Sequence, residues 1–204
     1  AGPVRLRAPG EPLPPESCRE LATTASSVAD AVTVANTRSQ DFYAEQLLKT
    51  MGHERRGEGT FAAGAAAVAD FLRQAKILGP FVYTDGSGLA RTNRFTARQI
   101  AAVLAYMNCR RTGALYWESL AEPGGEGTLS HRRLLRPLQG HLFAKTGYIA
   151  GVSALSGYLE CPSGRLLAFS ILVNAFREGL GEVHEAQDRI VLLLARYVPE
   201  AGKK

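Results

Sequence analysis

Residues Leu142–Leu155 read LFAKTGYIAGVSAL. This pattern predicts a strand that ends on Lys145 and Thr146, a turn over Tyr148–Gly151 and a second strand that returns beside the first. Gly147 has no side chain, so another backbone can approach the strand closely. An extended peptide would fit there as one more strand, with its terminal carboxylate at Lys145 and Thr146. An ordinary edge strand with a solvated lysine explains the triplet more simply, and the rest of the chain must decide between the two.

Composition excludes several classes of protein. Of the 204 residues, 46% are hydrophobic and 21% are charged, which is typical of a globular, core-forming chain. The net charge is +5, but the basic residues are scattered, so we expect no nucleic-acid binding. No stretch approaches the roughly 18 apolar residues of a membrane span. The three cysteines and four histidines show no metal-ligand spacing, so we expect no metal site and no cofactor.

The chain does not begin as a newly translated protein does. It starts at Ala1 rather than at a methionine, and it shows no signal peptide. We therefore expect that sequence upstream has been removed. Residues 1–15 are rich in proline and predict a linker or a disordered end, and residues 16–200 would form the folded domain.

Periodicity predicts helices first and a sheet afterwards. The predicted helices are 16–36, 42–51 closing at Gly52, a helix capped by Thr60 and running to 77, one that begins at Thr96 and ends near 109, and 182–197. A short strand is predicted at 81–83 and a loop at 117–127. Strands 153–160 and 166–174 follow the lysine strand, and the three are predicted to form consecutive antiparallel hairpins. This order is typical of an α+β fold, although strand 166–174 is apolar enough to need a neighbour on each side.

Three further stretches accompany the lysine strand in a fixed order. They are TRSQDFYAEQLLKTMG at 37–52, DGSGLARTN at 85–93 and GTL at 127–129. From about residue 21 to 198 this arrangement resembles the C-terminal part of the D-Ala-D-Ala carboxypeptidase/endopeptidase family, the low-molecular-mass class C penicillin-binding proteins. The resemblance implies a partial penicillin-binding (serine β-lactamase-like) transpeptidase fold, an antiparallel sheet packed with helices, with the N-terminal part of the domain missing.

The family is marked by three elements, S-x-x-K, S-x-N and K-T-G. Lys145, Thr146 and Gly147 match the third element. By this resemblance Thr146 binds the substrate carboxylate, Lys145 supplies the positive field, and the backbone N–H of Tyr148 forms half of an oxyanion hole. Ser39 falls where the second element begins and would relay a proton to the leaving amine.

Two departures from the family pattern stand out. Asp41 replaces the asparagine of the second element, and a carboxylate accepts hydrogen bonds but does not donate them. Its negative charge would also raise the pKa of the catalytic lysine. In addition, none of the serines has a lysine three residues on. The nearest pattern begins at Ser130 and ends in Arg133, which stays protonated. We therefore expect the nucleophile in an N-terminal segment of the same protein.

Two functions remain open at this point. The resemblance implies a serine-type D-Ala-D-Ala carboxypeptidase/endopeptidase that acts through an acyl-enzyme on peptidoglycan stem peptides. It would be inhibited by β-lactams and located outside the cytoplasmic membrane, in the periplasm or cell envelope. The missing S-x-x-K and Asp41 favour instead a non-catalytic remnant that binds peptidoglycan peptides or a partner protein. A variant of the first function keeps the fold but takes a β-lactam or a small ester as the substrate, as related hydrolases do.

Other residues are interpreted as structural. Asp85-Gly86-Ser87-Gly88 predicts a tight turn beside the cleft rather than a second serine nucleophile. The pair Arg132-Arg133 is expected to be surface or structural. Glu45 and Lys49 are expected to form an (i, i+4) ion pair without a functional role. We also expect the 204-residue chain to be poorly stable in isolation, because its sheet would lack strands.

Overall fold

The computed structural model describes residues 25–197 and has an α+β architecture. The elements are α1 Val28–Thr37, α2 Asp41–Arg56, α3 Phe61–Gln74, α4 Ala97–Asn108, α5 Gly113–Glu118, a 3₁₀ helix Arg133–Leu138, β1 Leu142–Ile149, β2 Val152–Glu160, β3 Leu166–Asn174 and α6 Leu180–Ala195. The predicted order of helices, three antiparallel strands and a closing helix is confirmed. The linker expected at 1–15 and the start of the first predicted helix lie outside the described residues.

The sheet has the strand order β1-β2-β3, and both pairs are antiparallel. Thr146 pairs with Leu155 across β1 and β2, and Ser156 pairs with Ser170 across β2 and β3. The first strand continues to Ile149, so the turn is shorter than predicted, and Gly151 adopts the left-handed φ of 79° that a tight turn favours.

One face of the sheet packs against α6 and the 3₁₀ helix. The buried side chains of this core are Ala121, Leu129, Leu135, Leu142, Ala144, Leu155, Leu159, Phe169, Val191 and Ala195. Arg132 is buried beside them, where its Nε donates to Asp188 Oδ1 at 2.8 Å and its guanidinium also donates to the carbonyl of His184. Arg132 therefore ties the segment before the 3₁₀ helix to α6, as expected for a structural residue.

The other face of the sheet meets α4 and α5. Leu104, Leu120 and Tyr158 are buried there, and the Tyr158 hydroxyl donates to the Leu104 carbonyl at 2.6 Å. Thr96 caps α4 as predicted, in a reciprocal pair of hydrogen bonds with Gln99. The sequence interpretation missed α5, a six-residue helix with no side-chain cap at its start.

Helices α2 and α3 approach each other through two glycines. The prediction that a helix closes at Gly52 is wrong, because α2 continues to Arg56 and ends at Gly57 with a φ of 75°. A Cβ on Gly52 would lie 2.7 Å from the backbone nitrogen of Gly64, and one on Gly64 would lie 2.4 Å from the carbonyl oxygen of Leu48. Gly52 is therefore a contact between helices and not a helix end.

The segment between α3 and α4 is mostly irregular. The strand predicted at 81–83 is reduced to a single bridge between Val82 and Arg94, and Phe81 stacks on Phe95 with ring centroids 5.5 Å apart.

Among residues 25–197, no helix is both long enough and apolar enough to cross a bilayer.

Candidate active site

Ser39 is the middle residue of the three-residue break between α1 and α2. Its φ of 56° is left-handed, which costs a non-glycine residue about 1–2 kcal/mol. The preceding residue anchors this break: the carbonyl of Thr37 accepts from the Thr128 N–H at 3.2 Å, and the Thr37 hydroxyl donates to Ser119. A Cβ on Gly127 would lie only 2.2 Å from the Thr37 carbonyl oxygen. The GTL segment thus holds Ser39 in place.

Lys145 brings the sheet and the helices together. Its Nζ donates to Ser39 Oγ at 2.7 Å and to the Thr146 carbonyl at 2.7 Å, although Ser39 is 106 residues away in sequence. Burial lowers the pKa of Lys145 to about 8, and the carboxylate of Asp41 opposes this shift. The lysine is therefore still largely protonated at neutral pH, yet it gives up a proton far more readily than a lysine in water.

Asp41 is the first residue of α2. A carboxylate is favourable at a helix N-terminus, where the backbone N–H groups carry partial positive charge. Its negative charge raises the pKa of Lys145, against the effect of burial. The position predicted from the second motif element therefore lies in the same cleft as the third element.

A cleft of about 570 Å³ collects the predicted site residues. Its lining includes Ser39, Asp41, Lys145, Thr146, Gly147 and Tyr148. Gly147 and Tyr148 are exposed at the end of β1, and Lys145 and Thr146 are half-buried. The structure thus brings all six together.

The loop after Asp85 forms another part of the cleft lining. Ser87, Gly88 and Leu89 line the cleft, which agrees with the turn predicted beside it. The Ser87 hydroxyl donates to the Glu45 carboxylate at 2.6 Å, a contact that holds the loop. The expected pair of Glu45 with Lys49 is wrong, because the Lys49 ammonium lies instead over the Phe61 ring, 4.5 Å from its centroid.

Glu45 is the residue that sequence reasoning missed. It lies one turn beyond Asp41 on α2, and its partners are 41 and 42 residues away. The one available signal was the glycine-rich loop itself, because the N–H groups of a half-buried loop need acceptors. That signal does not say which acidic residue supplies the acceptor.

An antiparallel sheet covered by helices on both faces, with a serine beside the lysine of K-T-G on the edge strand, defines the penicillin-binding, serine β-lactamase-like class of folds. The chain belongs to the D-Ala-D-Ala carboxypeptidase 3 (S13) family, whose model matches residues 11–197.

Relatives within the family cover most of the chain. It is 37% identical over 165 residues to the D-alanyl-D-alanine carboxypeptidase of an Actinomadura species, which is 78% of this chain and 30% of that protein. Penicillin-binding protein 4 (DacB) of Haemophilus influenzae superimposes with a TM-score of 0.75 at 26% identity, covering 82% of this chain and 40% of the other. That protein has also been solved in complex with a β-lactam. The chain therefore spans about a third of the length of its curated relatives.

A more distant structure shares the fold alone. The TLA-3 extended-spectrum β-lactamase superimposes with a TM-score of 0.61 at 15% identity, covering 84% of this chain and 66% of the β-lactamase.

Proposed function

We propose that this chain is the part of a serine-type D-Ala-D-Ala carboxypeptidase/endopeptidase that carries the second and third motif elements of its active site. The observation that carries the proposal is the 2.7 Å hydrogen bond from Lys145 Nζ to Ser39 Oγ. It joins two motif elements across 106 residues, inside a cleft large enough for a peptide end. The family match supports the same class of reaction.

The substrate binds beside β1 in this proposal. The hydroxyl of Thr146 donates to the terminal carboxylate of a stem peptide that ends in D-Ala-D-Ala, and the Lys145 ammonium attracts the same group. The exposed end of the strand leaves Gly147 and the Tyr148 N–H free to approach the scissile carbonyl, where that N–H supplies half of an oxyanion hole. Only the oxyanion contact strengthens as the carbonyl becomes tetrahedral, so it contributes to the rate.

Ser39 completes the proton path. Its hydroxyl accepts from Lys145 and can donate onward, so it passes a proton to the amine of the leaving D-alanine. The lowered pKa of Lys145, about 8, makes this transfer easier at neutral pH. The nucleophilic serine is supplied by an S-x-x-K element outside the 204 residues, and the acyl-enzyme it forms is then hydrolysed by water. The enzyme acts where peptidoglycan lies, outside the cytoplasmic membrane.

Benzylpenicillin tests this proposal. The intact mass of the polypeptide from its native source is measured before and after incubation, with the ring-opened penicillin as the control that does not acylate. A mass above the 21.9 kDa of this chain, with a gain of one penicillin, is the expected result. Absence of an adduct at every pH contradicts the proposal.

A second candidate function is peptide binding without catalysis. Asp41 favours it, because a carboxylate does not donate to a substrate carbonyl as asparagine does, and so does the absence of S-x-x-K from the 204 residues. Titration with a D-Ala-D-Ala peptide separates the two functions. Saturable binding without hydrolysis and without a penicillin adduct supports the binding function.

A further inference from the structure

The loop Asp85–Asn93 is folded around its own aspartate. The carboxylate of Asp85 accepts from the N–H of Gly88 at 3.1 Å, from the N–H of Ala90 at 2.7 Å and from the side-chain amide of Asn93 at 2.6 Å. These bonds fix the curvature of the loop. They do not fix its position relative to the rest of the cleft, because every partner lies within the same segment.

Glu45 supplies the contact with the rest of the molecule. Its carboxylate accepts from the N–H of Gly86 at 2.8 Å, from the N–H of Ser87 at 3.2 Å and from the Ser87 hydroxyl at 2.6 Å. Gly86 lies directly on α2, since a Cβ there would be 2.2 Å from the carbonyl oxygen of Ala44. Three donors on one carboxyl group, next to a backbone contact, leave the loop little freedom to shift along the helix.

The other end of the loop reaches the β1–β2 turn. Arg91 Nη2 donates to the carbonyl of Ala150 at 3.1 Å, directly after β1. The loop therefore spans from α2, which begins at Asp41, to the end of the strand that carries Lys145. Between these two attachments Ser87, Gly88 and Leu89 line the cleft, and Leu89 is 54% exposed.

We infer that Glu45 is a positioning residue that holds Ser87–Leu89 as a fixed wall of the cleft and thereby sets the affinity for the peptide beyond its D-Ala-D-Ala end. The inference rests on the proposed function and extends it to specificity. A peptide that extends along the cleft needs this wall in place. A small β-lactam at Lys145 and Thr146 contacts less of it, so the two kinds of ligand respond differently when the wall moves.

Two substitutions at Glu45 and one matched control test the inference in the native polypeptide. Glu45→Ala removes all three acceptor contacts, and Glu45→Gln keeps one amide oxygen as an acceptor. Glu54→Ala is the control, because Glu54 is an exposed glutamate on the same helix. We expect Glu45→Ala to raise KM for a long stem peptide about tenfold or more, with a much smaller change in the rate of acylation by benzylpenicillin. Glu45→Gln should fall between Glu45→Ala and the wild type, and Glu54→Ala should match the wild type.

Amide hydrogen exchange gives a readout that does not depend on catalysis. The N–H groups of Gly86 and Ser87 should exchange at least about tenfold faster in Glu45→Ala, while those of β2 stay protected. Unchanged exchange at Gly86 and Ser87 overturns the inference. Faster exchange with an unchanged KM for the long peptide also overturns it.

The inference and the proposed function fail in different ways. If wild-type protein forms no penicillin adduct, the proposed function fails. The inference is then tested with the dissociation constant of the long peptide, measured in place of KM. Weaker binding together with faster exchange in Glu45→Ala still supports the positioning role, and equal binding overturns it. A loss of penicillin acylation as large as the loss of peptide turnover overturns it as well, since that result indicates general damage to the site.

Discussion

The two faces of the sheet are used for different purposes. Toward α6, side chains such as Leu142, Leu155 and Val191 are fully buried in one continuous core. Toward α4 and α5, buried Leu104, Leu120 and Tyr158 form a smaller cluster, and the remaining space is the cleft of about 570 Å³. Neighbouring residues of one strand point to opposite faces. Along β2, Leu155 and Leu159 are accordingly buried toward α6, whereas Ala154 and Ser156 line the cleft, and substitutions should separate stability from ligand binding.

The largest effect on stability is expected from Arg132→Met, on the side of the sheet that packs against α6. Removing the guanidinium leaves the buried Asp188 carboxylate unpaired, which lowers the free energy of unfolding by about 3–5 kcal/mol. Urea unfolding of the native polypeptide measures the change. The exposed neighbour Arg133→Met is the control and should lose less than about 0.5 kcal/mol. Equal losses in the two variants would show that the buried pair does not stabilise this face.

Lys145→Ala should weaken ligand binding in the cleft and leave the stability of the fold almost unchanged. On the proposed function, the terminal carboxylate of a bound peptide loses its positive partner, so affinity falls by about 1.5–3 kcal/mol, whereas the free energy of unfolding changes by less than about 1 kcal/mol. Calorimetric titration with a D-Ala-D-Ala peptide measures the affinity, and the same peptide with an amidated C-terminus is the control. If Lys145→Ala weakens both peptides equally, the lysine does not bind the carboxylate.

The affinity of the cleft for a peptide should also depend on pH. On the proposed function, only the ammonium form of Lys145 attracts the peptide carboxylate, and burial lowers the pKa of Lys145 to about 8. Peptide affinity should therefore be constant below about pH 7 and fall as the pH rises through 8, by up to tenfold per pH unit while the deprotonated lysine accumulates. Titrations from pH 6 to 10 measure this, with Lys145→Ala as the reference. A flat profile to pH 10 is inconsistent with the lowered pKa.

The smallest effect is expected from Asp41→Asn. The negative charge of Asp41 raises the pKa of Lys145 against the effect of burial, so its removal lowers that pKa further. The midpoint of the pH profile should move down by less than about one pH unit. Penicillin acylation of the native polypeptide should become a few times faster, because an amide donates to the substrate carbonyl. An upward shift of the midpoint would contradict this electrostatic role.

Local patterns predicted the strands of the sheet and the cap of α4. Strands β2 and β3 followed from their apolar runs around a proline-glycine turn, and the cap at Thr96 followed from its spacing to Gln99. The meeting of Ser39 with Lys145 was expected from the order of the motif elements, not from any local signal.

What the sequence did not predict depends on distant contacts. Gly52 looked like a helix end, because its role is to let α3 approach, and a single helix does not reveal its neighbour. Glu45 looked like half of a surface ion pair, because its donors come from a loop about 40 residues later. In both cases local spacing was compatible with two structures, and tertiary packing selected one.

The contact between Gly52 and Gly64 has a consequence for inhibitor resistance. These glycines set the separation of α2 from α3, and α2 carries both Asp41 and Glu45 toward the cleft. Any larger residue at either glycine pushes the two helices apart. On the proposed function, changes in penicillin sensitivity are therefore expected to arise at positions that never touch the drug, and a survey of resistant variants should include this helix crossing as well as the cleft.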